Sequence, residues 1–209
     1  MWEFIDKIVY INLDSRKDRL ITIKKFIELG KFPSCKVVRF PAILQKPGTV
    51  GCTKSHIAIL RMAIKNRWNN VLILEDDVEW VKSVDSCYGK IKDLILQQND
   101  VVLLGGGYDT IVDDNRVLFS YCTSSYIVKS HYYETLLKVY ENGLKGLTGN
   151  DDMSVTPGTE ERIKNDNVYE IDTYWSRLQR THNWRAMVPA VVQQYTSYSD
   201  VRDNIRTWQ

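Results

Sequence analysis

The 209-residue sequence has few cysteines, no long apolar run and almost no excess of charge of either sign. Its cysteines, Cys35, Cys52, Cys87 and Cys122, are widely spaced and form no CxxC pair, which excludes the zinc and redox motifs built on such pairs. We therefore expect four free, reduced thiols in a cytoplasmic protein. No apolar stretch approaches the roughly 18 residues of a membrane span, and residues 1–6 lack the pattern of a signal peptide.

The charge balance also limits the class of partner. The formal net charge is +2 with an isoelectric point near 8.2, and the basic residues are scattered. Neither nucleic acid nor a membrane surface is indicated as a partner. The length fits one domain, residues 1–209, with ample chain for a core.

The most informative stretch is residues 71–78, VLILEDDV, in which four large apolar residues precede three carboxylates. An apolar run without alternation predicts a strand buried on both faces, as in a parallel sheet covered by helices. Ligands of such sheets bind beyond the carboxyl ends of the strands, where Glu75, Asp76 and Asp77 would lie. Oxygen ligands favour hard cations such as Mg²⁺ or Mn²⁺, which accompany substrate phosphates. A solvated acidic turn that caps the next helix is the alternative.

A second strand is predicted over residues 7–13, followed by a helix that Asp14 or Ser15 can cap and that ends before Gly30. Arg16 and Arg19 fall in its first turn, where acidic residues are favoured. The two arginines are therefore expected to face an anionic or planar group, unless they are simply solvated.

Residues 51–56, GCTKSH, precede an apolar helical pattern that Thr53 or Ser55 can cap. The helix N-terminus would offer backbone N–H groups to a phosphate or hydroxyl, and a hydrogen-bonded His56 without further function is the alternative. The three glycines at 105–107 follow another apolar strand. They allow close approach to the backbone, or merely a flexible turn.

The second half of the chain is less regular. Residues 143–167 are rich in Gly, Asp, Asn and Thr and are predicted to form a long loop or flap. Asp172 is expected to cap a short helix through Leu178, and residues 184–194 to form a final strand. Residues 195–209 are expected to cover the site or to be loosely ordered.

Four stretches in this order resemble glycosyltransferase family 25, the lipopolysaccharide and collagen-type galactosyltransferases. They are residues 10–19 (YINLDSRKDR), 51–56 (GCTKSH), 72–77 (LILEDD) and, more loosely, 188–194 (VPAVVQQ) with Ser199 and Asp200. The resemblance implies an α/β fold of the GT-A type, a Rossmann-like, mixed and mostly parallel sheet flanked by helices. Residues 1–110 would bind the nucleotide sugar and residues 111–209 the acceptor.

The resemblance also implies a reaction. It is the transfer of a hexose, with galactose expected and glucose as the alternative, from a UDP-sugar to a glycan or glycosylated protein, with inversion and with Mn²⁺ or Mg²⁺. Asp172 is expected to be the catalytic base. The expected nucleotide-sugar contacts are Asn12, Leu13, Arg16, Arg19, Ser55, His56, Glu75 and Asp76, and the expected metal ligands are Asp77, Gln194 and Asp200.

Two departures from the family pattern leave the acceptor and the exact donor open. The family often has a Gly-Thr-His-like stretch where this chain has Cys122-Thr123-Ser124, and residues 146–167 look idiosyncratic. A nucleotidyltransferase would also use carboxylates at strand ends, but residues 14–17 (DSRK) are not its glycine-rich, lysine-bearing loop. A nucleotide-sugar or glycan-binding domain without turnover is the second alternative.

Overall fold

The computed structural model describes residues 1–149, 168–202 and 204–206, which form an α/β fold. The helices are α1 (Lys17–Leu29), α2 (Gly48–Lys65), α3 (Val84–Leu96), α4 (Tyr133–Leu147), α5 (Ile171–Tyr174) and α6 (Ser176–Gln179). The strands are β1 (Lys7–Asn12), β2 (Val37–Pro41), β3 (Asn70–Glu75), β4 (Val78–Trp80), β5 (Val101–Leu103), β6 (Gly107–Val112), β7 (Arg116–Tyr121), β8 (Ser125–Lys129), β9 (Trp184–Ala186), β10 (Val192–Gln194), β11 (Ser197–Ser199) and β12 (Asn204–Arg206).

Eight strands form the central sheet in the order β2-β1-β3-β8-β5-β9-β7-β6. The pairings orient six of them in one direction, and only β7 and β8 run the opposite way. The expected mixed, mostly parallel sheet is therefore confirmed. In addition, β4 pairs with β10, and β11 pairs with β12 in a hairpin. Among the described residues, no helix combines the length and the apolar character that crossing a membrane requires.

Both faces of the sheet are buried, because helices pack against each of them. Val71 and Ile73 of β3 belong to one apolar cluster, with side chains of α2 and α4. Leu72 and Leu74 belong to a second cluster, with side chains of α1 and α3. All four are fully buried, so the unalternating apolar run follows from burial on both sides, as predicted.

The register of the sheet brings polar side chains of two strands to one edge. β1 and β3 are parallel, with Ile11 opposite Glu75. Asn12 and the acidic residues that follow β3 therefore lie side by side where the strands end. On the other side of β3, the Glu75 N–H donates to Ser124 O at 2.8 Å, which fixes the segment before β8 beside Glu75.

Two predicted helix starts are wrong. α1 begins after Arg16, which makes no side-chain capping bond, rather than after Asp14 or Ser15. α2 begins at Gly48, so Thr53 and Ser55 lie inside the helix and donate to the carbonyl oxygens of Thr49 and Gly51 instead of capping it. No helix N-terminus for a phosphate therefore exists at residues 51–56.

Other boundaries also differ from the sequence-based expectations. Residues 184–194 form two strands, β9 and β10, which pair in different sheets. Asp172 lies within α5, whose N-cap is Glu170, and so it is not the predicted cap. The start of the predicted flap, residues 143–147, belongs to α4, and the remainder from residue 150 to residue 167 lies outside the described residues.

The glycines after β5 allow a close approach between two chain segments. A Cβ atom at Gly105 would lie 1.9 Å from Val192 O, far inside van der Waals contact. Leu104 O also accepts hydrogen bonds from the N–H groups of Val191 and Val192. Gly105 therefore allows β10 to pack against the sheet, and the β4–β10 pairing holds the chain that follows residues 75–77, the acidic turn.

Candidate active site

A cavity of about 1070 Å³ lies at the carboxyl ends of β1 and β3. Loop 42–49, α2, the segment before β8, α5 and the β11–β12 hairpin complete its walls. All but one of the residues predicted for the site line this cavity, and the exception is Arg16. The residues that line it are Asn12, Leu13, Arg19, Ser55, His56, Glu75, Asp76, Asp77, Asp172, Gln194 and Asp200.

The acidic turn is held by contacts from two elements. Asp76 accepts hydrogen bonds from Asn12 Nδ2 at 2.7 Å and from Arg19 Nη1 at 2.8 Å. The same Nη1 lies 3.2 Å from Asp77 Oδ2. Burial raises the pKa of Asp76, although Arg19 and Asn12 act to lower it. Asn12 and Arg19 thus orient the turn as well as line the cavity.

Asp77 is buried and carries an incompletely compensated charge. Its Oδ1 accepts from Gln194 Nε2 at 3.1 Å, while Gln194 Oε1 accepts from the Cys122 thiol at 2.8 Å. Burial and the neighbouring charge of Glu75 raise the pKa of Asp77 to about 7, against the opposing effect of Arg19. In the arrangement described, the Gln194 amide group faces Asp77, so Gln194 holds that carboxylate through a hydrogen bond.

Glu75 lies at the end of β3, between α2 and the segment before β8. Its Oε1 accepts from Thr123 Oγ1 at 2.7 Å and lies 3.6 Å from His56 Nε2. Burial raises the pKa of Glu75, but the contacts with His56 and Thr123 lower it more, so that it lies below its ordinary value. The pKa values of the neighbouring Glu75 and Asp77 are therefore shifted in opposite directions, that of Glu75 downward and that of Asp77 upward.

His56 is fully buried, and a chain of hydroxyl groups holds its ring. Nδ1 lies 2.8 Å from the Tyr126 hydroxyl, which in turn is 3.2 Å from the hydroxyl of Tyr140. Cys52 lies one helical turn before His56 and also lines the cavity. Burial, reinforced by the charge of Glu75, raises the pKa of the Cys52 thiol.

Asp172 reaches the cavity from α5 and contacts the segment before β8. Its Oδ2 accepts from the Cys122 N–H at 3.2 Å, and burial raises its pKa while this hydrogen bond lowers it. Cys122 has a left-handed backbone, with φ of 75°. The nearby Glu170 forms a two-point ion pair with Arg202, in which Arg202 Nη1 lies 2.9 Å from Glu170 Oε1.

The β11–β12 hairpin covers one side of the site, in agreement with the expectation that the last residues cover it. Arg19 Nη2 donates to Ser197 Oγ and to Tyr198 O, each at 2.8 Å. Arg16 Nη1 donates to the same carbonyl at 3.1 Å and forms an ion pair with Asp200. Both arginines thus face acidic or carbonyl oxygen atoms, although Arg16 precedes α1 and only Arg19 lies in its first turn.

The donor set suits a hard divalent cation. Glu75, Asp76 and Asp77 bring three carboxylates together, and within the described chain Arg19 is the one cation paired with Asp76 and Asp77. Burial, together with the neighbouring negative charges, raises the pKa of Asp77. Carboxylate and amide oxygens are the ligands that Mg²⁺ and Mn²⁺ take in proteins. Asp77, Gln194 and Asp200 line the same cavity, and in this arrangement Asp200 is paired with Arg16 while the amide group of Gln194 faces Asp77.

Sequence reasoning missed three groups of the site. Thr123 orients Glu75, although in the sequence it stands out only as part of a departure from the family pattern. Cys52 lies four residues before His56, so both fall on one helix face. Tyr126 contacts the ring of His56, and no sequence pattern distinguishes it from its neighbours. The spacing of Cys52 and His56 is the available signal in the sequence, and it becomes informative because α2 begins at Gly48.

The sequence of residues 42–150, more than half of the chain, matches the family model described as "Glycosyltransferase family 25 (LPS biosynthesis protein)". Among curated proteins, none matches the sequence.

Two solved structures are similar over nearly the whole chain. One is the crystal structure of A197 from STIV, with a TM-score of 0.50, 12% sequence identity, and coverage of 97% of this chain and 94% of that one. The other is a glycosyltransferase involved in the glycosylation of the major capsid of PBCV-1, with a TM-score of 0.50, 13% identity, and coverage of 95% and 90%. At these identities the likeness shows the fold alone, which agrees with the expected GT-A type.

Proposed function

Because this chain belongs to glycosyltransferase family 25, we propose that it transfers a hexose from a UDP-sugar to a hydroxyl group of a glycan or glycosylated protein. One observation carries the proposal: the acidic turn, Asn12, Arg19 and Asp172 line a single cavity at the carboxyl edge of the sheet. Its volume of about 1070 Å³ is at the upper end of the roughly 300–1,000 Å³ of ligand pockets. A nucleotide sugar and part of an acceptor therefore have room together.

Galactose is the proposed sugar, as the resemblance to galactosyltransferases implies, and glucose is the alternative. Asn12, Leu13, Ser55 and His56 are proposed to contact the nucleotide sugar from the strand ends and from α2. Arg16 and Arg19 act from the hairpin side of the cavity. In the structure, the guanidinium groups of Arg16 and Arg19 bind carboxylate and carbonyl oxygens of the protein. The main role proposed for these two arginines is therefore to hold the acidic turn and the hairpin in place.

Asp77 is proposed to hold a divalent cation, with Gln194 and Asp200 as further ligands and Glu75 and Asp76 close by. A bound Mn²⁺ or Mg²⁺ would offset the charge on the departing diphosphate. The chain supplies the orientation: Asn12 and Arg19 fix Asp76, and Tyr195 N–H donates to Asp77 O at 2.9 Å, which secures the backbone of the turn. For Gln194 Oε1 to become a ligand, its amide group must turn away from Asp77.

Asp172 is proposed as the base of an inverting transfer. The acceptor oxygen forms a bond to the anomeric carbon while the bond to UDP breaks, and Asp172 takes the hydroxyl proton. The Cys122 N–H donates to Oδ2 of Asp172, and the backbone of Thr173 also forms a hydrogen bond with this carboxylate, so both orient it in the cavity. Burial raises the pKa of Asp172, which makes the carboxylate a stronger base than an exposed one.

The proposal is tested with a panel of UDP-sugars, by measuring UDP release with Mn²⁺, with Mg²⁺ and with a chelator. We expect release from UDP-galactose that requires a divalent cation and that is lost in Asp77→Asn. Failure to hydrolyse or bind any UDP-sugar with either cation would refute the proposal. UDP-sugar binding without any turnover on a panel of glycan acceptors would favour a binding domain instead.

A further inference from the structure

Cys52, His56 and Glu75 form a compact cluster beside the acidic turn. Cys52 and His56 project from one face of α2, and Glu75 ends β3. The thiol sulfur, an imidazole nitrogen and a carboxylate oxygen all lie within 4.8 Å of one another. His56 Nε2 lies 3.6 Å from Glu75 Oε1, which is too long for a hydrogen bond.

The imidazole of His56 makes this cluster unusual. His56 is fully buried, and among the residues that the structure describes its Nε2 has no hydrogen-bond partner. A buried polar atom without a partner is destabilising, because it loses its hydrogen bonds to water without replacement. A ligand between the three side chains would remove this penalty.

We propose that Cys52, His56 and Glu75 bind a borderline-soft divalent cation such as Zn²⁺, at a site distinct from the hard-cation site proposed at Asp77. Sulfur, imidazole nitrogen and carboxylate oxygen are the ligand types of zinc, whereas Mg²⁺ and Mn²⁺ prefer oxygen. Zinc bonds are about 2.0–2.3 Å long, so the three donor atoms would have to lie somewhat closer together than the present limit of 4.8 Å. Small side-chain rotations would bring them to that separation. Three protein ligands leave a fourth position open toward the cavity, as in zinc sites that bind water or substrate.

The surroundings of the cluster resemble those of a metal site. Metal-binding imidazoles usually make a hydrogen bond through the second ring nitrogen, which fixes the ring. His56 Nδ1 has such a partner in the Tyr126 hydroxyl at 2.8 Å, and the Tyr140 hydroxyl in turn donates a hydrogen bond to the Tyr126 hydroxyl. Because hydroxyl hydrogens rotate, Tyr126 can accept from Nδ1 while Nε2 keeps its lone pair for the ion. Thr123 Oγ1 orients the carboxylate of Glu75 at 2.7 Å.

The competing interpretation needs no ion. His56 would lie beside Glu75 without a hydrogen bond, and the partly buried Cys52 would be a free thiol nearby. This arrangement predicts no tight binding of zinc and no metal–thiolate bond. The two interpretations therefore differ in a measurement that requires neither sugar nucleotide nor acceptor.

The experiment measures Zn²⁺ binding to the metal-free protein by competition with a chromophoric chelator, and the absorption spectrum after Co²⁺ is added. We expect one zinc per chain that excess Mg²⁺ does not displace, and a sulfur-to-cobalt charge-transfer band. Cys52→Ser should remove that band and weaken zinc binding, while Cys35→Ser, which changes an exposed thiol elsewhere, should leave both unchanged. The wild-type cobalt spectrum is informative even if Cys52→Ser fails to fold.

Two further variants separate this site from the one at Asp77. Tyr126→Phe removes the partner of His56 Nδ1, and we expect zinc binding to weaken by about 10- to 100-fold. Asp77→Asn should retain zinc and lose Mn²⁺. Absence of the charge-transfer band in the wild type, or zinc binding that Cys52→Ser leaves intact, would overturn the proposal and leave the proposed sugar transfer untouched.

Discussion

Arg19 and Asp76 form a buried ion pair in which Arg19 Nη1 lies 2.8 Å from Asp76 Oδ1. The pair joins the first turn of α1 to the acidic turn after β3. The guanidinium group also reaches Asp77 at 3.2 Å and, through Nη2, the hairpin at Tyr198 O. Arg19 is only 8% exposed. One side chain therefore aligns three separate segments of the site.

Arg19→Ala should destabilise the protein. Removing one partner of a buried ion pair leaves the other charge uncompensated, which costs about 3–5 kcal/mol. We expect a loss of this size in the free energy of unfolding, measured with urea on the metal-free protein. Arg61→Ala is the matched control, because Arg61 forms an exposed ion pair with Glu141, and such pairs contribute about 0–1 kcal/mol. Unchanged stability with a raised KM for the donor would instead identify Arg19 as a nucleotide contact.

Stability without metal should depend on pH through Asp77. Burial and the charge of Glu75 raise its pKa to about 7 in the folded state, from an ordinary value of 3.8. The folded state therefore binds the proton more tightly, so this stabilisation is complete below about pH 4 and is lost as the pH rises through 7. We expect the free energy of unfolding to fall over this range. Asp77→Asn, which cannot titrate, should show a smaller fall.

Added Mn²⁺ gives a second measurement on the same two proteins. An ion that binds only the folded state raises its stability. At pH 8, we expect Mn²⁺ to raise the melting temperature of the wild type and not that of Asp77→Asn. Equal stabilisation of both proteins would show that the ion binds elsewhere.

The sequence predicts the central strand of the fold correctly, because local chemistry determines it. Residues 71–74 are an unbroken apolar run, which is compatible with little except a strand covered on both faces. Parallel strands end at the same edge, so Asn12 and the acidic residues after β3 could be expected together. Their contact at 2.7 Å confirms that part of the argument.

The start of α2 could not be predicted, because tertiary contacts decide it. Residues 48–52, GTVGC, contain two glycines and favour a loop. In the structure they are helical, and a Cβ atom at Gly51 would lie 2.3 Å from Ile43 O. Gly51 is therefore needed where loop 42–45 crosses the helix, a contact that no local pattern reveals. The bond between Thr123 and Glu75 likewise depends on the antiparallel pairing of β3 with β8.

Gly105→Ala should destabilise the protein and disturb the metal site. The new Cβ would collide with Val192 O, and overpacking of this kind typically costs about 1–3 kcal/mol. Because β10 carries Gln194, we also expect weaker Mn²⁺ binding by calorimetry. Gly89→Ala is the control, since Gly89 lies in α3 with open space around its Cβ position. That substitution should stabilise the protein by about 0.5–1 kcal/mol. A Gly105→Ala protein as stable as the wild type would contradict the proposed close packing of β10.

The last prediction concerns Asp172 as the catalytic base. Asp172 does not cap α5, and its Oδ2 accepts a hydrogen bond from the Cys122 N–H at 3.2 Å. Asp172→Asn keeps an oxygen that can accept this hydrogen bond but cannot take a proton. We expect normal folding, normal UDP-sugar binding and a fall in kcat of at least about 10²-fold, in the range of general base catalysis. The measurement is steady-state UDP release with an acceptor found in the substrate panel.

Asp172→Ala and the pH profile distinguish the base from a structural carboxylate. The alanine variant loses the hydrogen bond to Cys122 and should be less stable by about 1 kcal/mol, with the same loss of kcat as the asparagine variant. Burial raises the pKa of Asp172, so the wild-type rate should rise with pH as this group loses its proton, and the rise should be absent in Asp172→Asn. If Asp172→Asn turns over acceptor at the wild-type rate, the base must instead be Glu170 or, outside the described residues, Asp151 or Asp152.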